Sequence, residues 1–315
     1  MNVMTEIPIR EHANAAGLNL GTPVISILIP FFKDDPRPLL AALAPLTRQQ
    51  DDFEIILFDD GQPDTALNQA VCDHINTYNL PIRLLTSVRN RGRAAGRNLL
   101  AAAARGAWLL YLDADMSPAD DRFLDRYRAV ITEASADAYF GGYETCAPET
   151  PALRLHAALS RSSDQHAAAD RNKIGATAFC SSNLLVRSEV MQACPYDEGF
   201  SGWGWEDVDW AVTAAHDFRL SHIHNPARHG GLQTADALLA KFRAGAVNFK
   251  RLLQRHPELA GLPGARAARM LGRLPGQHWL RGVWSFLCRC DGMPMRVRTL
   301  ALKLWRASWT SEALR

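Results

Sequence analysis

Residues 107–115 read Ala-Trp-Leu-Leu-Tyr-Leu-Asp-Ala-Asp, an unbroken apolar run that ends in two carboxylates set two apart. An apolar run this short, with no helical spacing of polar residues, predicts a strand buried on both faces. Upstream, Val24–Phe32 (VISILIPFF) and Phe53–Phe58 (FEIILF) have the same character, and the second closes with Asp59-Asp60-Gly61. Ile82–Thr86 is a shorter strand candidate. Helices are expected between them at Pro38–Leu46, Thr65–Tyr78 and Ala94–Arg105, the second opening on Asp64, a residue suited to an N-cap. Strands alternating with helices over about 90 residues predict an α/β fold with a mostly parallel central sheet covered by helices on both faces. Such sheets take ligands at the carboxyl ends of their strands. The polar residues gather there: Asp59 and Asp60, the segment Arg89–Arg97, then Asp113 and Asp115.

Beyond this unit the pattern is less regular. Strands are expected at Ala138–Tyr143, Thr177–Val186 and Arg219–His224, and helices at Pro151–Ser163, Glu206–His216 and Ala235–His256. Pro263–Gly276 is rich in Gly, Pro and Arg and predicts a linker. In the tail, Trp279, Leu280, Val283, Trp284 and Leu287 recur at helical spacing, as do Val297, Leu300, Ala301, Leu304 and Trp305. From Ala265 onward there are ten Lys and Arg against two Asp and Glu. The division expected is an N-terminal arm (1–22), a regular α/β half (23–134), a less regular half (135–260) and a basic amphipathic helical tail (261–315).

Composition sets outer bounds. The 315 residues are 47% hydrophobic and 22% charged, with a formal net charge of +2. That is the profile of a globular chain, and the charge is too small to argue for nucleic acid as a partner. Six cysteines without a Cys-x-x-Cys pair read as reduced thiols of a cytoplasmic protein rather than a disulfide framework or zinc site. The first residues lack the apolar core of a signal peptide, and no stretch of about 18 apolar residues spans a membrane.

Four constellations carry chemistry. Asp113-Ala-Asp115 at a strand end offers hard oxygen ligands to Mg²⁺ or Mn²⁺, ions that share their coordination with substrate phosphates. The segment RNRGRAAGRN (89–98) holds four arginines and two glycines before a helix, a setting for phosphate oxygens although it is neither a P-loop nor a dinucleotide fingerprint. Gly202-Trp203-Gly204-Trp205 precedes Glu206, Asp207 and Asp209. Indole faces pack on pyranose C–H groups, and a carboxylate beyond such a platform can take a proton from a sugar hydroxyl. The plainer reading is a helix start enriched in acids by its dipole, with the tryptophans in the core. Finally, His222, His224 and His229 offer imidazoles to a metal that already has two carboxylates.

Together these residues resemble the family 2 glycosyltransferases, inverting enzymes of GT-A fold. The second half looks like the galactosyltransferase and N-acetylgalactosaminyltransferase branch with its Trp-Gly-x-Glu-Asp type segment. The likeness runs from about Val24 to His256. Ile29-Pro30-Phe31-Phe32 resembles the first strand that ends at the nucleotide. Asp59-Asp60-Gly61 resembles the Asp-Asp-Gly-Ser turn, with Gln62 in place of serine. Asn90–Asn98 resembles the Asn-x-Gly…Ala-x-x-Arg-Asn stretch, and Asp113-Ala-Asp115 the Asp-x-Asp. Asn183–Arg187 and Tyr196–Phe200 resemble the segment before the acceptor site, Trp205-Glu206-Asp207 the Glu-Asp motif, and His229-Gly230-Gly231 the late histidine.

The resemblance implies a nucleotide-sugar donor, a UDP-sugar first among them, and a saccharide or lipid-linked acceptor, with 23–134 as the nucleotide-sugar-binding half and 135–260 as the acceptor-binding half. Pro30, Phe32, Asp59, Asp60, Arg93, Arg97 and Asp113 would bind the nucleotide, and Asp113, Asp115 and His229 would hold Mn²⁺ or Mg²⁺. Trp203, Trp205 and Glu206 would border the acceptor, and Asp207 would be the base. The tail fits either an amphipathic surface on the inner face of an anionic membrane through 277–309 or a helical pair packed on the main domain. Three readings compete with this one. A sugar-phosphate nucleotidyltransferase would carry a glycine-rich first loop, where this chain has Pro30-Phe31-Phe32-Lys33. An RNA-binding protein would use Arg89–Arg97 and have no need of Asp113 or Asp115. A nucleotide-sugar-binding protein without catalysis would lack the acid motifs.

Overall fold

The computed structural model describes residues 8–18, 21–47, 52–163 and 165–315. In chain order it runs β1 (Ile9–Ala13), α1 (Ala15–Leu18), β2 (Ile25–Phe31), α2 (Arg37–Thr47), β3 (Phe53–Asp59), α3 (Thr65–Ile75), β4 (Ile82–Ser87), α4 (Arg93–Ala103), β5 (Trp108–Leu112) and β6 (Met116–Pro118). Next come α5 (Phe123–Glu133), β7 (Ala138–Phe140), β8 (Tyr143–Thr145), α6 (Arg154–Ser163), α7 (Ala168–Ile174), β9 (Asn183–Arg187), α8 (Ser188–Ala193), α9 (Glu206–Ala214), β10 (Leu220–His222) and β11 (Ala227–His229). The chain ends in helices α10 (Ala235–Arg255), α11 (Pro263–Gly272), α12 (Arg281–Arg289) and α13 (Met295–Ala313).

The main sheet has the order β1-β4-β3-β2-β5-β9-β7-β10, and β6-β11-β8 form a small second sheet. Strands β4, β3, β2 and β5 are mutually parallel, while β9 lies antiparallel between β5 and β7. Alternate side chains of the parallel strands enter different cores. Ile25, Ile27 and Ile29 join one cluster, whereas Leu28, Ile56 and Phe58 join the other. Burial on both faces is why these strands are apolar at nearly every position.

The expected strands and helices of the first half form with shifts of only a few residues, and Asp64 caps α3 by accepting from Ala66 N at 2.9 Å. The expected strand Ala138–Tyr143 is split into β7 and β8 of different sheets, helices α7 and α8 are additional to those expected, and three further segments differ from the sequence expectation. Residues 9–13, expected in an arm, are an edge strand antiparallel to β4. Their sequence, IREHA, is polar because edge strands face solvent. The attachment is specific: Glu11 pairs with Arg83 at 2.7 Å, and the Asn14 amide donates to the carbonyls of Ile75, Tyr78 and Leu80. Of the expected strand Thr177–Val186, only residues 183–186 are extended in the sheet, within β9, and Gly175–Ala178 is a 3-10 turn. The expected linker contains helix α11, in which Pro263 occupies the first turn and Ala265, Ala268 and Leu271 are buried. Gly272 lets that helix lie against α13, since a Cβ there would stand 2.5 Å from Ser311 Oγ. Among the described residues, no helix is long and apolar enough to cross a membrane.

Candidate active site

Chain order reverses across the sheet at β2: β3 follows on one side, while β5 pairs on the other. A crevice opens at such a switch point, outside the carboxyl ends of the strands. The cavity there has a volume of about 300 Å³. Pro30, Phe31 and Phe32 at the end of β2 form one wall, and Asp113, Ala114 and Asp115 after β5 form the other. Asp60, Arg93 and Arg97 also line it.

Two loops are drawn together over this crevice. Gly61 has φ +66° and lies against the Arg89 backbone, where a Cβ would come within 2.1 Å. Asp60 fastens the contact by accepting from Asn90 Nδ2 at 3.0 Å, Arg91 N at 2.6 Å and Gly92 N at 3.0 Å. Burial pushes the Asp60 carboxyl up to about 6 in spite of those bonds. Asp59 takes another direction. Its carboxylate accepts from Gln62 N and from Asn68 Nδ2, the latter at 2.6 Å, and it is not among the lining residues. Of the two adjacent acids, only Asp60 faces the crevice.

Arg97 is the hub of the floor. Its side chain is 2% exposed, with Nη2 3.0 Å from Asp113 Oδ1, Nη1 3.3 Å from Glu206 Oε1, and Nη1 3.9 Å from Asp207 Oδ1. Arg93, one turn earlier on α4, reaches Glu206 at 3.8 Å. Arg97 is thus committed to carboxylates, and Arg93 is the more available cation. Glu206, expected to bind the acceptor, is buried, and burial together with neighbouring Asp207 raises its carboxyl above the ordinary range. Asp207 accepts hydrogen bonds from Ser181 Oγ and Cys180 Sγ.

The turn that delivers these acids is bent backbone. Gly202, Gly204 and Trp205 have φ of +74°, +90° and +78°. A tryptophan in that region is strained, and the surroundings hold it there. The Asn248 amide on α10 donates to Ser201 O at 2.9 Å and Gly204 O at 3.0 Å. Trp203 packs on Phe242 and Trp205 on Phe249, with centroids 5.5 and 4.4 Å apart. Both indoles are half-buried, so each has one side in a core and part of its surface free.

Of the three histidines, His229 meets the acid pair: its Nε2 lies 3.2 Å from Asp115 Oδ2. Gly231 permits that approach, because a Cβ there would fall 1.9 Å from the same oxygen. His222 is buried against Phe179 with Nε2 bonded to Gly175 O, and burial lowers it to about 4. His224 is exposed. Among the described residues no three acid, His or Cys side chains form a closed metal cage. The Asp115 carboxylate and the His229 imidazole are donors of the kind that would hold a divalent cation, and Asp113 lines the same crevice as Asp115.

Four contributors carry no local sequence signal: Ser181, Asn248, His156 and Lys241. The His156 ring is 5.7 Å from that of His229. Lys241 extends from α10 with Nζ 5.7 Å from the Trp203 ring centre. Burial and the charge of Arg93 lower its pKa, while Asp115, Asp34 and Asp113 oppose them.

The sequence profile described as Glycosyl transferase family 2 matches residues 26–193. The chain is 25% identical over 234 residues to glycosyltransferase AglE of Haloferax volcanii, covering 71% of this chain and 72% of that protein. It is 27% identical over 169 residues to succinoglycan biosynthesis protein ExoO of Rhizobium meliloti, covering 53% of this chain and 44% of that one. With an uncharacterized glycosyltransferase of Haemophilus influenzae it shares 26% over 136 residues, 43% of this chain and 53% of the relative. The chain therefore spans about half the length of the last two relatives. Among solved structures it is similar to mannosyltransferase PcManGT from Pyrobaculum calidifontis in complex with GDP-Man and Mn²⁺, with TM-score 0.59 and 15% identity over 93% of this chain and 90% of that one. S. aureus TarS 1-349 in complex with UDP gives TM-score 0.52 and 15% identity, covering 92% and 90%. These two share the fold.

Proposed function

The chain belongs to glycosyl transferase family 2, and on that premise we propose that it is an inverting transferase that moves a sugar from a UDP-sugar to a hydroxyl of a saccharide or lipid-linked acceptor in surface glycan synthesis. The transferred group is a hexose or N-acetylhexosamine, with galactose and N-acetylgalactosamine favoured by the Trp-Gly-Trp-Glu-Asp segment. One observation carries the reading. A buried arginine, Arg97, ties the acid at the diphosphate end of the crevice to the acids at the start of α9, so the donor site and the base are built as one unit.

In this reading the nucleotide lies against Pro30 and Phe32, with Asp60 toward the base. Arg93 orients the diphosphate at the N-terminus of α4, where free N–H groups favour anions. Asp115 and His229, with Asp113 alongside, would hold Mn²⁺ or Mg²⁺. A divalent cation bound there supplies neutralisation of the charge that gathers on the departing diphosphate. Ser181 fixes the Asp207 carboxylate, and the free parts of Trp203 and Trp205 border the acceptor sugar. Glu206, turned toward Arg97 and Arg93, sets the position of α9 rather than meeting the acceptor directly. Asp207 takes the proton of the acceptor hydroxyl as its oxygen attacks the anomeric carbon. The bond from that carbon to the diphosphate oxygen breaks, UDP leaves with the electron pair, and a single displacement inverts the centre.

Thermal unfolding with UDP, GDP and CDP, each with and without Mn²⁺, tests the donor site. A ligand at 100 times its dissociation constant stabilises the folded chain by about 2.7 kcal/mol. The expected result is a shift specific to UDP with Mn²⁺, followed by turnover of a UDP-sugar. A shift with another nucleotide alone would move the donor class. Strongly salt-dependent RNA binding with no nucleotide effect would overturn the reading.

A further inference from the structure

Helices α11 to α13 and the turns between them bury only part of their apolar surface. Trp284, Cys288, Ala301 and Leu302 enter a core shared with α6 and α10. The opposite side of the segment from 277 to 289 is also apolar, and it faces outward. Trp279 is 79% exposed, Phe286 62% and Val283 53%, and Leu280 stands beside them. Positions 279, 283 and 286 fall on one stripe of a helical surface. The first turns of α13 repeat the pattern with Val297 and Leu300 outward, and α11 adds Met270. Solvated surfaces of single chains seldom carry so many large apolar groups together, and such patches mark interaction sites.

The charges around the stripe indicate what it meets. Arg266, Arg269 and Arg273 on or just after α11 are exposed, as are Arg296 and Lys303 on α13. The acids of this region are Asp291 and Glu312, and each is neutralised within the chain, by Arg298 at 2.7 Å and Arg281 at 2.6 Å. The exposed side chains of these helices therefore combine large apolar groups with unneutralised cations. A protein partner would have to match both features at defined places. A bilayer with anionic headgroups does so without specific geometry: the ring of Trp279 sits at the headgroup level, and the arginines meet the surface charge.

We infer that the outward face of α11–α13 and the 277–280 turn docks on an anionic membrane, with Trp279 and Phe286 inserted at the interface. This reading goes beyond the transfer reaction and holds whatever the sugar is. It also separates the tail's two stripes by role. One half, around Trp284 and Leu302, packs on the main domain, and the other half is left for the bilayer.

Co-sedimentation of the full chain with vesicles tests the inference directly. One set is pure phosphatidylcholine, and the other contains phosphatidylglycerol. The expected result is binding to the phosphatidylglycerol vesicles that weakens with added salt and is at least tenfold weaker on phosphatidylcholine alone. Trp279→Ser combined with Phe286→Ser should cut partitioning by about tenfold or more while leaving UDP-dependent thermal stabilisation unchanged, since both side chains are exposed and remote from the crevice residues. Arg273→Glu with Arg296→Glu should abolish the preference for anionic vesicles, each lost positive charge counting about fivefold. Absence of binding to phosphatidylglycerol vesicles at low salt would overturn the inference. So would binding that neither pair of substitutions changes. Sedimentation equilibrium of the vesicle-free protein gives a further check: self-association abolished by the serine pair, without vesicle binding, would make this face a contact between copies of the chain.

Discussion

Arg97 Nη2 stands 3.0 Å from Asp113 Oδ1, while its Nη1 stands 3.3 Å from Glu206 Oε1. One guanidinium thus joins the loop after β5 to the first turn of α9, two segments far apart in sequence. Arg97 and Glu206 are buried, so neither has water to fall back on, while Asp113 is 24% exposed at the crevice. Breaking a buried ion pair by removing one partner costs about 3–5 kcal/mol, because the other charge stays behind. Arg97→Met is therefore expected to lower unfolding free energy in urea by about that amount and to abolish transfer. A loss below about 1 kcal/mol would mean that the acids rearrange freely and that Arg97 does not join the two sites.

Asp207 differs from its neighbour Glu206 in exposure, its side chain being 17% exposed against 3%, while it is held by Ser181 and Cys180. Asp207→Asn keeps the shape and removes the proton acceptor. Transfer should fall by about 10²- to 10⁴-fold with UDP binding close to normal. Calorimetric titration of UDP beside a turnover assay separates the two quantities, and near-normal turnover would reject Asp207 as the base.

His229 and His222 lie seven residues apart but in strands of different sheets, so they make a matched pair of tests. His229→Ala should weaken Mn²⁺-dependent UDP binding, because its Nε2 is next to the Asp115 carboxylate. His222→Ala should leave metal dependence alone and lower stability, since that ring fills a buried site against Phe179 and Phe140. Metal titrations followed by thermal unfolding would show the contrast, and the reverse pattern would transfer the ligand role to His222.

Much of this was legible in the sequence, and the misses have physical causes. Burial on both faces makes strands β2 to β5 continuous apolar runs, and Gly61 and Gly92 mark the two loops drawn together over the crevice. The long helix α10 shows its amphipathic period over 21 residues. Edge strand β1 was hidden because an edge needs no apolar alternation. Helix α11 was hidden because Pro at a first turn and Gly at a last turn look like linker residues until their burial is known. Asp59 and Asp60 are indistinguishable as letters, and only the partners Asn68 and Asn90 reveal which one faces the crevice. Asn248 and Lys241 act across more than 35 residues of sequence, on a helix whose local pattern explains only its buried stripe.

Asp60 gives a pH signature. Burial raises its carboxyl from 3.8 to about 6, so the folded chain holds that proton to higher pH than the unfolded chain. Its contribution to stability is full below about pH 4 and is lost as pH rises through about 6. Asp60→Asn removes the titration. Measured between pH 3.5 and 7.5, the wild-type chain should lose stability relative to the variant as pH increases across that window. A difference that grows the other way would show that the bonds from Arg91 and Gly92 outweigh burial.

Lys241 offers the last test, because it brings a cation to the crevice from outside the sheet. Its charge acts on Asp34 and Asp115 as well as on His156. A bound diphosphate would add negative charge to the same region, so Lys241→Gln is expected to raise the KM for the donor by about tenfold with a smaller change in kcat. Burial and Arg93 lower the lysine's pKa, so its neutral form appears at a lower pH than for an ordinary lysine. Donor affinity should accordingly decline on the alkaline side, and Lys241→Arg, which stays charged, should flatten that decline. A profile identical in wild type and both variants would place Lys241 outside the donor site and leave it a support for Trp203.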